Sequence, residues 1–317
     1  MGKVAIGIPK RTNLLYSVAA LAIVAFVLPP LIHNDYLTTV LISIVMWAGM
    51  GAAFDLTAGY IRVTNFGFAG FVAAGAYTSA LLAADYGISP FLGLWPGLLA
   101  ATAFGAFVGF LTLRFHGMFA AALAWFMGMT LQYVLAATPE YTRGYEGLSV
   151  PQFFSGISLL PYYYLVLIMY IVELAILFKM VRGKAGFAFK IIGEDETAAR
   201  TVGTNVSWYR SICFTISCLF AGLFGVFYAH YLGLLTPDVS GIAITVQALA
   251  ICYIGGRGTL WGSLPGAIVI IAIFEIFRPL AAYRFIIYGI LLIIVMIWAQ
   301  GGLARVIQKC LAPLKLQ

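Results

Sequence analysis

Long apolar runs dominate this sequence and constrain its fold more than any other feature. A helix needs about 20 predominantly apolar residues to cross a bilayer, and ten runs approach or reach that length. The eighth and ninth runs are short, so eight or nine spans plus a re-entrant segment is the alternative count. We predict an all-α, polytopic membrane protein with about ten transmembrane helices in a single domain, residues 1–317. The runs are Leu14–Ile32, Leu37–Phe54, Gly67–Ala84, Phe91–Leu113, Gly117–Ala137, Leu160–Lys179, Tyr209–Tyr231, Gly241–Ile254, Gly262–Phe277 and Phe285–Trp298.

The charged residues are few and unevenly distributed. Only 9% of the residues are charged, against about 25% in soluble domains, which excludes an ordinary soluble fold. If ten spans start from a cytoplasmic N-terminus, only Arg143, Arg278 and Arg284 of the 18 basic residues lie outside. Because loops rich in Lys and Arg remain in the cytoplasm, we predict that both termini are cytoplasmic. The net charge of +7 then reflects membrane topology and not nucleic-acid binding. The basic residues on the cytoplasmic side would be Lys3, Lys10, Arg11, Arg62, Arg114, Lys179, Arg182, Lys184, Lys190, Arg200, Arg210, Arg257, Arg305, Lys309 and Lys315.

One long polar stretch, Gly186–Gly203, interrupts the apolar sequence. Its charged residues Glu194, Glu196 and Arg200 fall on one side of a helix, and Gly203 is a natural left-handed stop. Because such a short helix cannot span a bilayer, we predict an amphipathic helix outside the membrane. It either rests on lipid headgroups or presents a face to another protein. Its apolar side would contain Ile191, Ile192, Ala198, Ala199 and Val202.

Two glycine patterns occur, one between the second and third predicted spans and one within the fourth. Phe54–Tyr77 contains a polar, glycine-punctuated break, which is a pathway candidate because irregular backbone at membrane depth must be buried or line a water-filled cavity. Close helix packing is the alternative explanation for its glycines. The second pattern places a small residue at every fourth position and predicts a packing seam: Gly97, Ala101, Gly105 and Gly109.

Familiar catalytic and nucleotide-binding motifs are missing from the sequence. Gly-x-x-x-x-Gly-Lys-(Ser/Thr), His-Glu-x-x-His, Cys-x-x-Cys and Gly-x-Ser-x-Gly do not occur. The cysteines and histidines show no metal-ligand spacing, so we predict no cofactor and no metal site. Three carboxylates lie in or at the ends of spans and leave open the alternative of an ion-coupled secondary transporter: Asp55, Glu173 and Glu275.

Glu194–Gly203, with the sequence Glu-Asp-Glu-Thr-Ala-Ala-Arg-Thr-Val-Gly, resembles a known signature. It is similar to the cytoplasmic coupling loop of ABC-importer permeases, in the form used by the branched-chain amino-acid permease family. In that family the loop docks into a cleft on the ATPase subunit. The resemblance implies a coupling loop at residues 182–208, with Gly193 where the family usually has Arg. It assigns ATPase coupling to Gly193, Glu194, Asp195, Glu196, Ala198, Ala199 and Gly203.

Further segments resemble the same family in the same order. They are the glycine-punctuated break, Leu113–Met127, Thr138–Leu148, Phe214–Ala229 and Gly255–Gly266, with a weaker match at Ala299–Leu303. This chain departs from the family pattern at six positions that the resemblance places near the pathway. Polar groups are lost at Phe68 and at 124–126, which favours an apolar or aromatic cargo if these residues contact the solute, with Arg62 or Asn65 as polar contacts. The alternative is that Trp125 and Phe126 face lipid. The six are Arg62, Asn65, Phe68, Ala124, Trp125 and Phe126.

The resemblance implies a permease subunit of a bacterial ABC importer, located in the inner membrane. It would carry a small organic solute: a branched-chain or other amino acid, or a related apolar or aromatic carboxylate. ATP hydrolysis would belong to a separate chain, so the subunit is expected to be a transport component and not an enzyme. The implied partners are a second homologous permease subunit, two cytoplasmic ATP-binding subunits, an external solute-binding protein and the lipid bilayer.

Overall fold

The computed structural model describes residues 34–277, apart from 116, 155 and 157, together with 283, 286, 289, 290, 293 and 302–305. The first predicted span, Leu14–Ile32, lies outside these residues, as does most of the last, Phe285–Trp298. Most of the weak motif at Ala299–Leu303, and Arg278 and Arg284, also lie outside them.

Helices make up most of the described structure. Their order along the chain is α1 (Asp35–Asp55), a π-helical turn (Leu56–Tyr60), α2 (Phe68–Tyr86), α3 (Pro90–Thr112), α4 (Met118–Ala137), α5 (Pro139–Thr142), a 3-10 turn (Gly144–Glu146), β1 (Leu148–Ser149), α6 (Leu160–Arg182), α7 (Lys184–Glu194), α8 (Glu196–Thr201), α9 (Val206–Leu232), β2 (Leu234–Leu235), a 3-10 turn (Pro237–Ser240), α10 (Ile242–Gly255) and α11 (Ser263–Ile276). The two short strands pair antiparallel, with Leu148 opposite Leu235.

Six helices in the described part of the chain are long and apolar enough to cross a membrane. They are α1 with its π-helical turn, α2, α3, α4, α6 and α9. The predicted count of ten is therefore not confirmed. The eighth and ninth predicted runs form α10 and α11, of 14 residues each. Such a helix is about 21 Å long, which is less than the hydrocarbon thickness of about 30 Å.

Close helix packing builds the centre of the molecule. Helix α9 lies against α2 and α3, and glycines bring the three backbones together. A Cβ placed on Gly75 would lie 2.7 Å from the Cα of Gly222, and one on Gly222 would lie 2.2 Å from the Cβ of Ala101. A Cβ on Gly105 would approach the Cβ of Cys218 to 2.2 Å. The predicted packing seam on α3 is thus confirmed, because small side chains let neighbouring helices approach.

Two irregular segments meet at the middle of α4. Residues 61–67 run from the end of the π-helical turn to the start of α2, where a Cβ on Gly67 would lie 2.0 Å from the Ala124 carbonyl oxygen. Residues 236–241 approach from the opposite end, and the Ser240 hydroxyl donates to the Gly128 carbonyl at 3.0 Å. The Ala69 amide donates to Thr245 Oγ1 at 3.0 Å, which joins the first turns of α2 and α10. These contacts bury irregular backbone within the protein, as a membrane environment requires.

Candidate coupling site

The predicted amphipathic helix is two helices, α7 and α8, separated at Asp195. Asp195 has an extended backbone (φ −155°, ψ 113°), and its Oδ1 accepts from the amides of Thr197 and Ala198 at 2.8 and 3.1 Å. These are the amides that a helix N-terminus leaves without backbone partners. The prediction of one continuous helix is therefore wrong, because Asp195 ends the first helix and caps the second.

The break at Asp195 also changes which apolar residues are buried. Ile192 and Ala199 pack with Val206 in a small buried cluster, whereas Ala198 and Val202 are exposed. The predicted apolar face was thus right for Ile192 and Ala199 and wrong for Ala198 and Val202, because two helices do not share one phase. Gly203 has the predicted left-handed backbone, with φ +79°.

The charged residues of α8 form a pair on its surface. Arg200 donates to Glu196 Oε1 at 2.9 Å, in the i, i+4 arrangement that supports a helix by a few tenths of a kcal/mol. The Arg200 side chain is 54% exposed and the Glu196 side chain 26% exposed. Helix α8 therefore presents charge to its surroundings.

The end of the π-helical turn holds α7 in place. A Cβ on Gly193 would lie 2.2 Å from the Tyr60 carbonyl oxygen, so only glycine fits this approach. Beside it, the Arg62 guanidinium forms an ion pair with Glu194. Gly193, where the family usually has Arg, is thus required here by a backbone contact. We call the end of the molecule that contains Tyr60, α7 and α8 the loop end.

Arg210 is a second attachment of the loop, and the sequence interpretation missed it. Its side chain is 2% exposed. One terminal nitrogen donates to the carbonyls of Thr112 and Phe115 at 3.0 and 3.2 Å, and the other lies 3.6 Å from Glu196 Oε2. Arg210 therefore joins α8 to the C-terminal end of α3, where carbonyls lack partners within the helix.

An open cleft of about 570 Å³ adjoins the loop. It lies between the first turns of α7 and α9. Phe187 and Trp208 are exposed there, at 69% and 61%. The lining residues are Lys184, Phe187, Ala188, Gly203, Thr204, Asn205, Trp208 and Tyr209.

The six pathway candidates do not form one site. Arg62 lies at the loop end with Glu194. Asn65 and Phe68 are fully buried, and Asn65 Oδ1 accepts from the Gly67 amide at 3.2 Å. Phe68 packs edge to face on Phe54, with ring centroids 5.4 Å apart.

The remaining three candidates lie together on α4 but differ in exposure. Ala124 is buried against Gly67. Trp125 and Phe126 stack on each other, with ring centroids 5.6 Å apart, and are 39% and 59% exposed. Contact of any of these residues with a solute stays a prediction.

The three carboxylates predicted within spans have different surroundings. Asp55 is buried and accepts hydrogen bonds from the amides of Gly258 and Leu260. Glu275 accepts from the Tyr36 hydroxyl at 2.5 Å. Glu173 is fully buried, and neither of its oxygens has a partner among the residues that the structure describes. Within that same part of the chain, no three His, Cys, Asp or Glu side chains are grouped so that they could hold a metal ion.

Five arginines can be placed through their contacts, four at one end of the molecule and one at the other. Arg62, Arg200, Arg210 and Arg257 lie at the loop end, through their contacts with Glu194, Glu196, Thr112 and Ala58. Arg143 lies 3.9 Å from Asp85, beyond the far end of α2. Which end faces the cytoplasm stays a prediction.

Comparison with known proteins identifies the family. Residues 36–296 match the family model described as "Branched-chain amino acid transport system / permease component". The chain belongs to this permease family. The match covers every described membrane-length helix, apart from the first residue of α1. The resemblance found in the sequence is therefore confirmed, and the permease is a multi-pass membrane transport component.

Curated relatives carry two kinds of name. The permease is 29% identical over 302 residues to the "High-affinity branched-chain amino acid transport system permease protein LivM" of Escherichia coli strain K12, covering 85% of this chain and 69% of the relative. The Salmonella typhimurium LivM is 28% identical, covering 90% and 73%. The "Autoinducer 2 import system permease protein LsrC" of Escherichia coli strain SMS-3-5 is 26% identical, covering 79% and 73%. No solved structure matched the permease.

Proposed function

We propose that this permease is the transmembrane subunit of an ABC importer and that α7 and α8 form its ATPase-coupling loop. One observation supports the proposal: the loop is attached to the membrane helices by several contacts, while α8 exposes charged residues. The fixed contacts are Gly193 with Tyr60, Arg62 with Glu194, and Arg210 with α3. A loop held in this way can transmit a displacement to the spans, because packed elements move as units rather than deforming continuously.

The driving force comes from other chains in this proposal. The permease sequence contains no P-loop motif, so ATP hydrolysis belongs to two cytoplasmic ATP-binding subunits. A second homologous permease and an external solute-binding protein complete the importer in the inner membrane, with both termini of this chain in the cytoplasm. Closure of the ATPases would displace the loop and switch the pathway from outward to inward access.

The proposed solute is a branched-chain amino acid, another amino acid, or a related apolar or aromatic carboxylate. The names of the LivM relatives support the first of these. An aromatic cargo is included because Trp125 and Phe126, if they line the pathway, offer a flat ring about 0.5–1.5 kcal/mol of offset stacking. Their exposure, at 39% and 59%, equally fits a surface that faces lipid. Ion-coupled transport is not favoured by the family match. Of the three carboxylates, Asp55 is held by backbone amides and Glu275 accepts from Tyr36, which leaves Glu173 as the one without a partner among the described residues.

Glu196→Lys tests the coupling role. The importer, reconstituted in vesicles with its ATPases and binding protein, should keep hydrolysing ATP while solute uptake falls by about tenfold or more, because a coupling free energy of 1–3 kcal/mol is removed. The matched control is Glu196→Asp, which keeps the charge and should retain most of the uptake. Normal uptake by Glu196→Lys would exclude the proposed docking role for α8.

A further inference from the structure

The π-helical turn Leu56–Tyr60 contacts two loops, the coupling loop and residues 256–262. π-helical turns are rare in proteins, and those that occur are frequently found at functional sites. Two non-glycine residues with left-handed backbones flank the turn Leu56–Tyr60: Arg62 follows it in sequence with φ 55°, and Leu260 approaches it in space with φ 50°. Such conformations cost about 1–3 kcal/mol each and persist where the surrounding structure enforces them. Leu260 is also fully buried.

Asp55 holds the second loop, residues 256–262, against this turn. Its Oδ1 accepts from the Gly258 amide at 2.7 Å, and its Oδ2 accepts from the Leu260 amide at 3.0 Å. The Cys252 thiol donates to Oδ1 at 3.2 Å. Burial of a polar carboxyl group is costly unless its oxygens are hydrogen-bonded in this way.

Arg257 fastens the same loop from outside. Its guanidinium donates twice to the Ala58 carbonyl, at 3.2 and 2.8 Å, and lies 5.0 Å from the centre of the Tyr253 ring. The Ala58 carbonyl belongs to the π-helical turn. Both the carboxylate before the turn and a carbonyl within it thus hold residues 256–262.

The opposite side of the π-helical turn contacts the coupling loop. Tyr60 receives Gly193, and Arg62 pairs with Glu194. The coupling loop and residues 256–262 are thus both attached to one turn of five residues. Residues 256–262 follow the C-terminal end of α10, a helix of 14 residues. At the N-terminal end of α10, Thr245 accepts a hydrogen bond from the Ala69 amide at the start of α2.

We propose that Asp55 is a positioning residue that makes residues 256–262 and the coupling loop move together, so that α10 transmits this motion to the start of α2. The proposal rests on the coupling role of α7 and α8. It assigns a transmission role to a buried carboxylate at the end of α1. Replacing the Asp55 carboxyl group should change how much solute is carried per ATP, and not only how much transporter is present.

The test uses the complete importer in vesicles and compares three variants. Asp55→Asn and Arg257→Met should each raise the ATP hydrolysed per solute imported by about fivefold or more. Glu173→Gln is the control, because it replaces another buried carboxyl group in a span that makes no hydrogen bond within the described residues, and it should leave the ratio unchanged. A purely structural role of Asp55 would lower uptake and ATPase activity in proportion. An unchanged ratio in Asp55→Asn would therefore overturn the proposal.

Arg257→Met protects the test against a folding failure, since Arg257 is exposed. If Asp55→Asn does not assemble, an unchanged ratio in Arg257→Met overturns the proposal. Hydrogen exchange of the wild-type importer is the independent measurement: amides in 256–262 should change protection when nucleotide binds, and the Glu194→Gln variant should weaken that response. Amide protection in 256–262 that does not change when nucleotide binds would also overturn the proposal. ATP dependence of wild-type uptake is measured first. If uptake does not depend on ATP, the proposed importer function is wrong, and this outcome differs from a failure of the role proposed for Asp55.

Discussion

Replacing Arg210 with Met should destabilise the permease far more than the same change at Arg200. Both guanidinium groups lie near Glu196, but Arg210 is 2% exposed and Arg200 is 54% exposed. Arg210→Met removes two charged hydrogen bonds to the carbonyls of Thr112 and Phe115. At about 1.5–3 kcal/mol each, they set an upper limit near 6 kcal/mol.

The net loss should be smaller than this limit, because removing Arg210 also removes the cost of burying its charge. Met fills much of the vacated volume. We therefore expect Arg210→Met to lower the free energy of unfolding by about 2–4 kcal/mol. Arg200→Met removes only an exposed i, i+4 pair with Glu196 and should lower it by about 0.3–0.5 kcal/mol.

Thermal unfolding of the purified permease in detergent checks this difference. Cys213, Cys218 and Cys252 are buried free thiols, so a thiol-reactive dye reports unfolding. The midpoint for Arg210→Met should fall by roughly 4–16 °C, from a shift of about 2–4 °C per kcal/mol, while Arg200→Met should shift by less than about 2 °C. Equal shifts for the two variants, or an unchanged midpoint for Arg210→Met, would refute the role given to burial.

Two further predictions concern packing and cargo. In the same thermal assay Gly105→Ala should lower the free energy of unfolding by about 1–3 kcal/mol, because the new Cβ would lie 2.2 Å from the Cβ of Cys218. Gly109→Ala should lower it by less than about 1 kcal/mol, because the nearest atom, on Phe214, is 3.3 Å away. Identical midpoints for the two variants would contradict the close approach at Gly105. For the cargo, the cognate solute-binding protein should be titrated calorimetrically with leucine and with aromatic carboxylates: we expect one class to bind selectively, and leucine binding without aromatic binding would end the aromatic proposal.

Local rules predicted only part of this structure. The spacing of Gly97, Ala101, Gly105 and Gly109 predicted the α3 seam, since small residues at every fourth position can serve little else. The break at Asp195 was readable in principle, because an Asp before Glu-Thr-Ala-Ala-Arg is a good N-cap. It was missed because the apolar residues on both sides fit a single helical period.

The contacts that hold the loop could not be predicted from local sequence. Arg210 stands near the start of an apolar run, where basic residues usually face water. Its burial depends on carbonyls of α3, which lie almost a hundred residues away in the chain. Asp55 likewise depends on amides in residues 256–262. Such pairings follow from how helices pack, and no periodicity within one segment records them.

The length and burial of α9 affect how the permease responds to bilayer thickness. Its 27 residues span about 40 Å, more than the hydrocarbon region of about 30 Å, and a helix that is too long usually tilts in response to the surrounding lipid. However, 72% of the residues in an apolar 18-residue stretch of α9 are buried, against 28% in the corresponding stretches of α3 and α4. Protein neighbours therefore set the tilt of α9, and a change in acyl-chain length acts first on α3 and α4.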